Sequence, residues 1–197
     1  QVGGGTDIGG SRENQDDFFV WESRVNGIMI LCVLDGHGRE VGKLASEAGR
    51  ASLEQYFDEN GLYLYTDPYK VLVEAFDRAH SYIKSRFAER LESVGWEVKE
   101  AEEGYFVKRK PNSSTWYCVH GGTSCSIVAI VGSKVYCANV GDSSGLLCAD
   151  KSHLRAFNRT LLHPLGDAAD PQRNGSDKYT DLVHSLGIPV AVDGALM

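Results

Sequence analysis

Long hydrophobic runs and an excess of positive charge are both missing from this sequence. No stretch of about 18 apolar residues occurs, and residues 1–10 lack the basic and apolar regions of a secretory signal peptide. The net charge is −7 and the sequence pI is near 5.3, which argues against nucleic acid as a partner. These absences predict a protein with no membrane segment that works in the cytoplasm or nucleus, and we expect it to be a monomer.

Paired cysteine motifs are also absent. The five cysteines form no Cys-x-x-Cys pair and no Cys-x5-Arg motif, and most of them lie in apolar, strand-like runs. An odd number of cysteines without metal-ligand spacing indicates buried free thiols rather than a disulfide framework. The five are Cys32, Cys118, Cys125, Cys137 and Cys148.

The composition is that of one folded domain. The chain has 197 residues, of which 42% are hydrophobic and 24% are charged, and this argues against disorder. A chain of this length can bury a substantial core. We therefore predict a single domain over residues 1–197.

Residues 12–38 predict a β-hairpin that carries acidic residues at its open end. Strands are expected at 18–22 and 28–34, because both segments are apolar or β-branched and flank the turn signal Val25-Asn26-Gly27. A turn centred between this Asn and Gly makes the numbers of paired residues sum to 26 + 27, that is 53.

That register would bring two carboxylates together. Asp35 would face Phe18, and Asp16 would be its diagonal neighbour on the same face, about 7–8 Å away at Cα. Asp17 would point to the other face. Two carboxylates held so close repel each other unless a proton or a cation lies between them, so the pair favours a hard cation such as Mg²⁺ or Mn²⁺.

Each acidic motif also has an ordinary structural interpretation. Asp35-Gly36-His37-Gly38 alone is typical of a tight turn, and Asn14-Gln15-Asp16-Asp17 alone is typical of a polar strand entry or an Asx-turn. Their occurrence together favours a functional site.

Four motifs in order then suggest a family. Together they resemble the metal-dependent Ser/Thr protein phosphatases of type 2C, over residues 1 to about 190. The motifs are Asn14-Gln15-Asp16, Asp35-Gly36-His37-Gly38, Gly122-Thr123-Ser124 and Ala138-Asn139-Val140-Gly141-Asp142-Ser143. The resemblance implies an α+β fold, a four-layer α-β-β-α sandwich of antiparallel sheets with outer helices.

The resemblance also implies an activity and its metal ligands. The expected reaction is hydrolysis of phosphoserine and phosphothreonine in phosphoprotein substrates, by a water molecule activated by two Mg²⁺ or Mn²⁺ ions. Asp16, Asp35 and the Gly36 carbonyl would bind these ions. Asp142 would support an additional, third ion.

Two further residues receive catalytic roles from the resemblance. His37 would protonate the leaving seryl or threonyl oxygen, although a structural turn histidine is the alternative. Arg12 would bind phosphate oxygens, and the alternative is a solvated loop arginine. The family usually places this arginine five residues before the first metal aspartate, whereas Arg12 precedes Asp16 by four.

Periodicity places helices after the hairpin. A helix is expected over 39–58, closed by Asn60-Gly61, and a second begins at the N-cap Asp67 followed by Pro68. The buried stripes are predicted to be Val41, Ala45, Ala48, Ser52 and Tyr56 in the first helix, and Leu72, Phe76, Ala79, Ile83, Phe87 and Leu91 in the second.

Residues 94–121 break this pattern and are interpreted as a surface insertion. They are either a solvated loop or small hairpin, or a flap that contacts substrates or partners. The flap alternative rests on four aromatic residues, Trp96, Tyr105, Phe106 and Trp116.

More strands are expected beyond the insertion. We predict an edge strand at 2–8, a hairpin of 122–131 with 134–140 whose paired numbers sum to 265, and a hairpin of 145–149 with 153–157. A short helix is expected at 177–186.

The C-terminal part matches the family least well. The family takes two further metal aspartates from an Asp-Gly and an Asp-Asn motif, and Asp193-Gly194 lacks the flanking residues that would support it. His163 receives no role. We therefore expect a C-terminally incomplete domain that binds Mn²⁺ weakly and turns over little or no p-nitrophenyl phosphate. The alternative function is a truncated or pseudo-phosphatase acting as a regulatory or binding module.

Overall fold

The computed structural model describes residues 2–9, 12–102, 104–150 and 153–157. His163, Asp193 and the predicted helix at 177–186 lie outside these residues. In chain order the elements are β1 (Asp17–Ser23), β2 (Ile28–His37), α1 (Gly42–Asn60), α2 (Pro68–Ser93), β3 (Glu97–Glu100), β4 (Phe106–Arg109), β5 (Tyr117–Cys118), β6 (Gly122–Val131), β7 (Lys134–Val140), β8 (Gly145–Asp150) and β9 (His153–Phe157).

The largest sheet has four antiparallel strands in the order β1-β2-β6-β7. Two smaller antiparallel sheets are formed by β3-β4-β5 and by β8-β9. The two helices pack against each other and cover one face of the four-stranded sheet. The predicted α+β class, with antiparallel sheets and outer helices, is confirmed.

The core lies between the helices and this sheet. Alternate residues of β2 point into it, so Ile30, Cys32 and Leu34 are almost fully buried whereas Val33 and Asp35 are exposed. Each large apolar side chain buried there contributes about 1.5–3 kcal/mol. The helices cover the face to which the even-numbered residues of β2 point. The odd-numbered residues of β2 therefore point to the opposite face.

The predicted helical stripes are confirmed, since every residue named for them is buried. The first helix begins at Gly42 rather than at residue 39. Asp67 caps the second helix as predicted, because its side chain accepts a hydrogen bond from the Lys70 amide at 3.0 Å.

Gly61 does not end the first helix in the predicted way. Its φ is −56°, so the chain continues into a short 3₁₀ turn, Gly61–Tyr65, instead of turning through a left-handed cap. A β-carbon at this position would lie 2.7 Å from the Trp21 ring. Glycine is therefore required there for close packing rather than for a positive φ.

The register predicted for the first hairpin is wrong by two residues. Asp17 pairs with Leu34, so paired numbers sum to 51 instead of 53. The connection is longer than expected, because a 3₁₀ turn at Arg24–Asn26 precedes Gly27, whose φ is +60°. A shift of two residues keeps every side chain on its predicted face.

The remaining strand predictions have mixed outcomes. The hairpin of β6 and β7 has the predicted bounds and register, and β8 and β9 form the predicted second hairpin. Residues 2–8 form no strand, so that prediction is wrong. The segment 94–121 contains the three short strands β3, β4 and β5.

Candidate metal and phosphate site

Asp35 and His37 lie near the end of β2 on the face opposite the helices. Both are exposed. Leu34, which precedes Asp35, and Gly36, which lies between Asp35 and His37, are buried on the face that the helices cover. The strand extends past its predicted end at residue 34, because it stays paired with β6 as far as His37 opposite Gly122, so the alternative of a tight turn at Asp35 does not hold. The acidic motif therefore sits on rigid backbone.

Asp16 comes directly opposite Asp35. The last pair of the β1–β2 ladder is Asp17 with Leu34. Continuing the same register by one residue pairs Asp16 with Asp35. Facing residues of an antiparallel pair lie about 4.5–5.5 Å apart at Cβ, whereas diagonal neighbours lie about 7–8 Å apart. The corrected register thus places the two carboxyl groups closer together than the diagonal arrangement predicted from the sequence.

The environment of Asp35 disfavours its negative charge. Partial burial raises the pKa of the Asp35 carboxyl, and the charges of Asp16 and Asp142 raise it further. His37 acts weakly in the opposite direction. A cation at this position would relieve the repulsion among the carboxylates.

Asp142 is held near the pair by the neighbouring strand. It lies two residues beyond β7, and the hydroxyl of the following Ser143 is hydrogen-bonded to Ser124. Ser124 is the β6 partner of Asp35. Gly141 has φ +92°, and a β-carbon there would lie 2.5 Å from that of Ser124, so glycine is required for this approach.

The backbone around Gly36 is closely packed. A β-carbon at Gly36 would lie 2.4 Å from the Gln15 carbonyl oxygen and 2.5 Å from that of Gly42. The Gln15 side-chain amide donates a hydrogen bond to the Gly38 carbonyl at 3.0 Å. Gln15 therefore anchors the connection between β2 and α1, a role that its position inside the acidic motif could have suggested.

Asp17 faces away from the candidate site, as predicted. Its carboxylate accepts a hydrogen bond from Arg50 of α1 at 3.0 Å. This contact, followed by that with Glu54, raises the pKa of the Arg50 guanidinium. Two adjacent aspartates thus have different environments, because successive strand residues point to opposite faces.

Arg12 is exposed, four residues before Asp16. It forms no ion pair with the residues that the structure describes.

The donor set suits a hard divalent cation. In the part of the chain that the structure describes, no group of three or more His, Cys, Asp or Glu side chains is arranged to hold a metal ion. Two facing carboxylates, with a third nearby, nevertheless match the few carboxylates by which Mg²⁺ is usually held among water ligands.

The cysteine prediction is confirmed in part. Cys32 and Cys125 are buried free thiols whose sulfur atoms lie 3.5 Å apart. Burial, followed by the hydrogen bond and charge of Cys125, raises the pKa of the Cys32 thiol. Cys118 is free but exposed, contrary to the prediction. It lies in the two-residue edge strand β5 rather than in the core.

One contact near the site had no signal in the sequence. Lys108 in β4 is almost fully buried and pairs with Glu40, which follows His37 by three residues. The two residues are 68 positions apart, so their pairing depends on how the small β3-β4-β5 sheet docks.

Comparison with known proteins identifies one family. The family model for protein phosphatase 2C matches residues 18–161. This range contains Asp35, His37 and Asp142 but begins after Asp16. No curated protein matches the chain. Among the described helices, none has the length and apolar character needed to cross a membrane.

Proposed function

The chain belongs to the protein phosphatase 2C family, and from this premise we propose that it hydrolyses phosphoserine and phosphothreonine esters in proteins with two Mg²⁺ or Mn²⁺ ions. The observation that supports this best is the facing pair Asp16 and Asp35, where partial burial and then the charges of Asp16 and Asp142 raise the pKa of Asp35. Such a pair is stabilised by a bound divalent cation.

Three groups of this chain would hold the two ions. They are the carboxylates of Asp16 and Asp35 and the carbonyl of Gly36, with Asp142 available for a third ion. Divalent ions bound here would supply an activated water nucleophile and neutralise charge on the phosphate oxygens. The pairing of β2 with β6 keeps the Asp35 side chain in place.

His37 would deliver the proton that the leaving oxygen requires. It lies two residues after Asp35 on the same exposed face of β2. Imidazole groups are suited to general acid catalysis near neutral pH. Arg12 would bind two phosphate oxygens through its planar guanidinium group. Its exposure leaves this side chain accessible to a substrate.

The proposal is tested by phosphate release from a phosphothreonine peptide. We expect activity with Mn²⁺ or Mg²⁺, loss of activity in EDTA and recovery when Mn²⁺ is restored. Asp35→Asn should abolish the reaction, whereas Asp17→Asn, one residue from Asp16 on the opposite face, should retain it. Activity that survives complete chelation would contradict the proposal.

A regulatory module without catalysis is the second candidate. It is favoured by the lack, among the described side chains, of any three-residue metal-binding group. The same assay separates the two candidates, because a module of this kind would bind phosphopeptides without releasing phosphate at any Mn²⁺ concentration.

A further inference from the structure

The small sheet β3-β4-β5 is attached to the connection that leads away from His37. Phe106, at the start of the central strand β4, and Val119, whose amide donates to the Phe106 carbonyl at 2.9 Å, pack against the buried cluster that includes Val41 and Ala45. Val41 immediately precedes α1, and Gly42 begins it. The sheet therefore rests on the residues that join β2 to the first helix.

Lys108 is the charged centre of this attachment. Only 8% of the residue is exposed, and its ammonium group pairs with the carboxylate of Glu40, whose side chain is 47% exposed. The ammonium also lies 4.5 Å from the centre of the Trp96 ring. A buried lysine needs such partners because removing its charge from water is costly. Its position is thus restricted from two sides.

A backbone contact reinforces the attachment from the end of the same segment. A β-carbon at Gly38 would lie 2.5 Å from the Gly121 α-carbon and 2.6 Å from the His120 carbonyl oxygen. Both glycines have positive φ values, +104° at Gly38 and +143° at Gly121. The chain that leaves the small sheet consequently lies directly against the chain that leaves His37.

We infer that Lys108 is a positioning residue, whose pair with Glu40 holds the 38–41 connection and thereby fixes the Gly36 carbonyl and His37. The inference rests on the proposed function for the consequence it assigns to metal binding. Segment 94–121 would then hold site residues in position, and removing it would disturb the site. Partners that orient metal ligands without touching the ion commonly change metal affinity about 10–100-fold.

Lys108→Met is the decisive variant, because methionine keeps the apolar stem and removes the charge. Lys99→Met is its matched control. Lys99 lies in the adjacent strand of the same sheet, is exposed, and its ammonium lies 4.4 Å from the centre of the Trp116 ring. Both substitutions remove a lysine charge beside a tryptophan, but only one faces Glu40.

Two measurements on the 197-residue chain are needed. The first is amide hydrogen exchange over residues 36–42, where the Gly42 amide donates to the Gly38 carbonyl at 2.9 Å. The second is the Mn²⁺ concentration that gives half-maximal binding by calorimetry and half-maximal phosphate release. We expect Lys108→Met to accelerate exchange and to raise this Mn²⁺ concentration, each about tenfold, and Lys99→Met to change neither by more than about twofold.

Glu40→Gln removes the same ion pair from its other partner and is needed if Lys108→Met misfolds. Glu40 is half-exposed, so this substitution leaves the buried packing around Lys108 in place. It should change both readouts in the same direction, and combining it with Lys108→Met should add little. Equal behaviour of Lys108→Met and Lys99→Met in both measurements would overturn the inference. If the wild-type chain neither binds Mn²⁺ nor releases phosphate, the proposed function fails instead, and the exchange rates alone still decide the positioning role.

Discussion

Asp16 faces Asp35 one step beyond the last pair of the β1–β2 ladder, and its charge, after partial burial, raises the pKa of the Asp35 carboxyl. The neighbouring Asp17 points instead to the helices and pairs with Arg50. One adjacent pair of aspartates thus supplies one group to a candidate metal site and one to the packing of α1.

Asp35→Asn should stabilise the metal-free protein near neutral pH. Because the pKa of Asp35 is raised in the folded state, the native protein binds more protons than the unfolded chain between the ordinary pKa of about 3.9 and the raised value. Stability therefore falls as pH rises through that window. The variant removes this loss, so its melting temperature without metal should exceed that of the wild type at neutral pH and match it in strong acid.

Asp17→Asn is the control for that measurement. It breaks a partly exposed ion pair with Arg50 and should lower stability by about 0–1 kcal/mol. Stabilisation by both variants would indicate a general effect of reduced negative charge rather than repulsion at Asp35.

His37→Gln should slow hydrolysis of a phosphothreonine peptide by roughly a hundredfold or more, because the leaving alkoxide loses its proton donor. Hydrolysis of p-nitrophenyl phosphate should fall much less, since nitrophenolate leaves without protonation. The measurement is kcat on both substrates at saturating Mn²⁺. An equal loss on both substrates would assign His37 a role other than proton donation.

Gly36→Ala should destabilise the fold by at least about 2 kcal/mol, because the added methyl group would overlap two backbone carbonyl oxygens that cannot move aside. Urea unfolding without metal measures the effect. Gly3→Ala is the control, since no atom lies within 4 Å of a β-carbon there, and it should change stability by less than about 0.5 kcal/mol. Wild-type stability of Gly36→Ala would show that the connection is looser than described.

His80 should make the protein less stable in mild acid. Burial, followed by the charge of Lys84, lowers the pKa of His80, and its Nδ1 atom is buried without a hydrogen-bond partner among the described residues. The unfolded chain then binds more protons below about pH 6.5, so stability falls as pH decreases through that value. The decrease in melting temperature from about pH 7.5 to about pH 5.5 should be smaller for His80→Gln. An unchanged decrease would assign the acid sensitivity to other groups.

The sequence predicted well wherever a local pattern determines the structure. The buried stripes of both helices, the Asp67 cap and the whole β6–β7 hairpin follow from periodicity and turn chemistry. The common face of Asp16 and Asp35 was also predicted, because a register error of two residues leaves side-chain faces unchanged.

Features that depend on distant packing were not predictable in this way. The longer turn at Arg24–Asn26 changed the register, and the close packing of Gly61 against the Trp21 ring involves a residue 40 positions away. Nothing near Lys108 in the sequence indicates Glu40 as its partner. The packing of the small sheet against α1 brings the two together.

Calorimetric titration with Mn²⁺ tests the central claim most directly, because it asks whether the Asp16–Asp35 pair binds a cation without requiring turnover. The account predicts that the wild-type chain and Asp17→Asn bind Mn²⁺ alike, whereas Asp16→Asn and Asp35→Asn each weaken binding by roughly a hundredfold or more. Wild-type affinity in Asp35→Asn, or no Mn²⁺ binding by the wild-type chain, would contradict it.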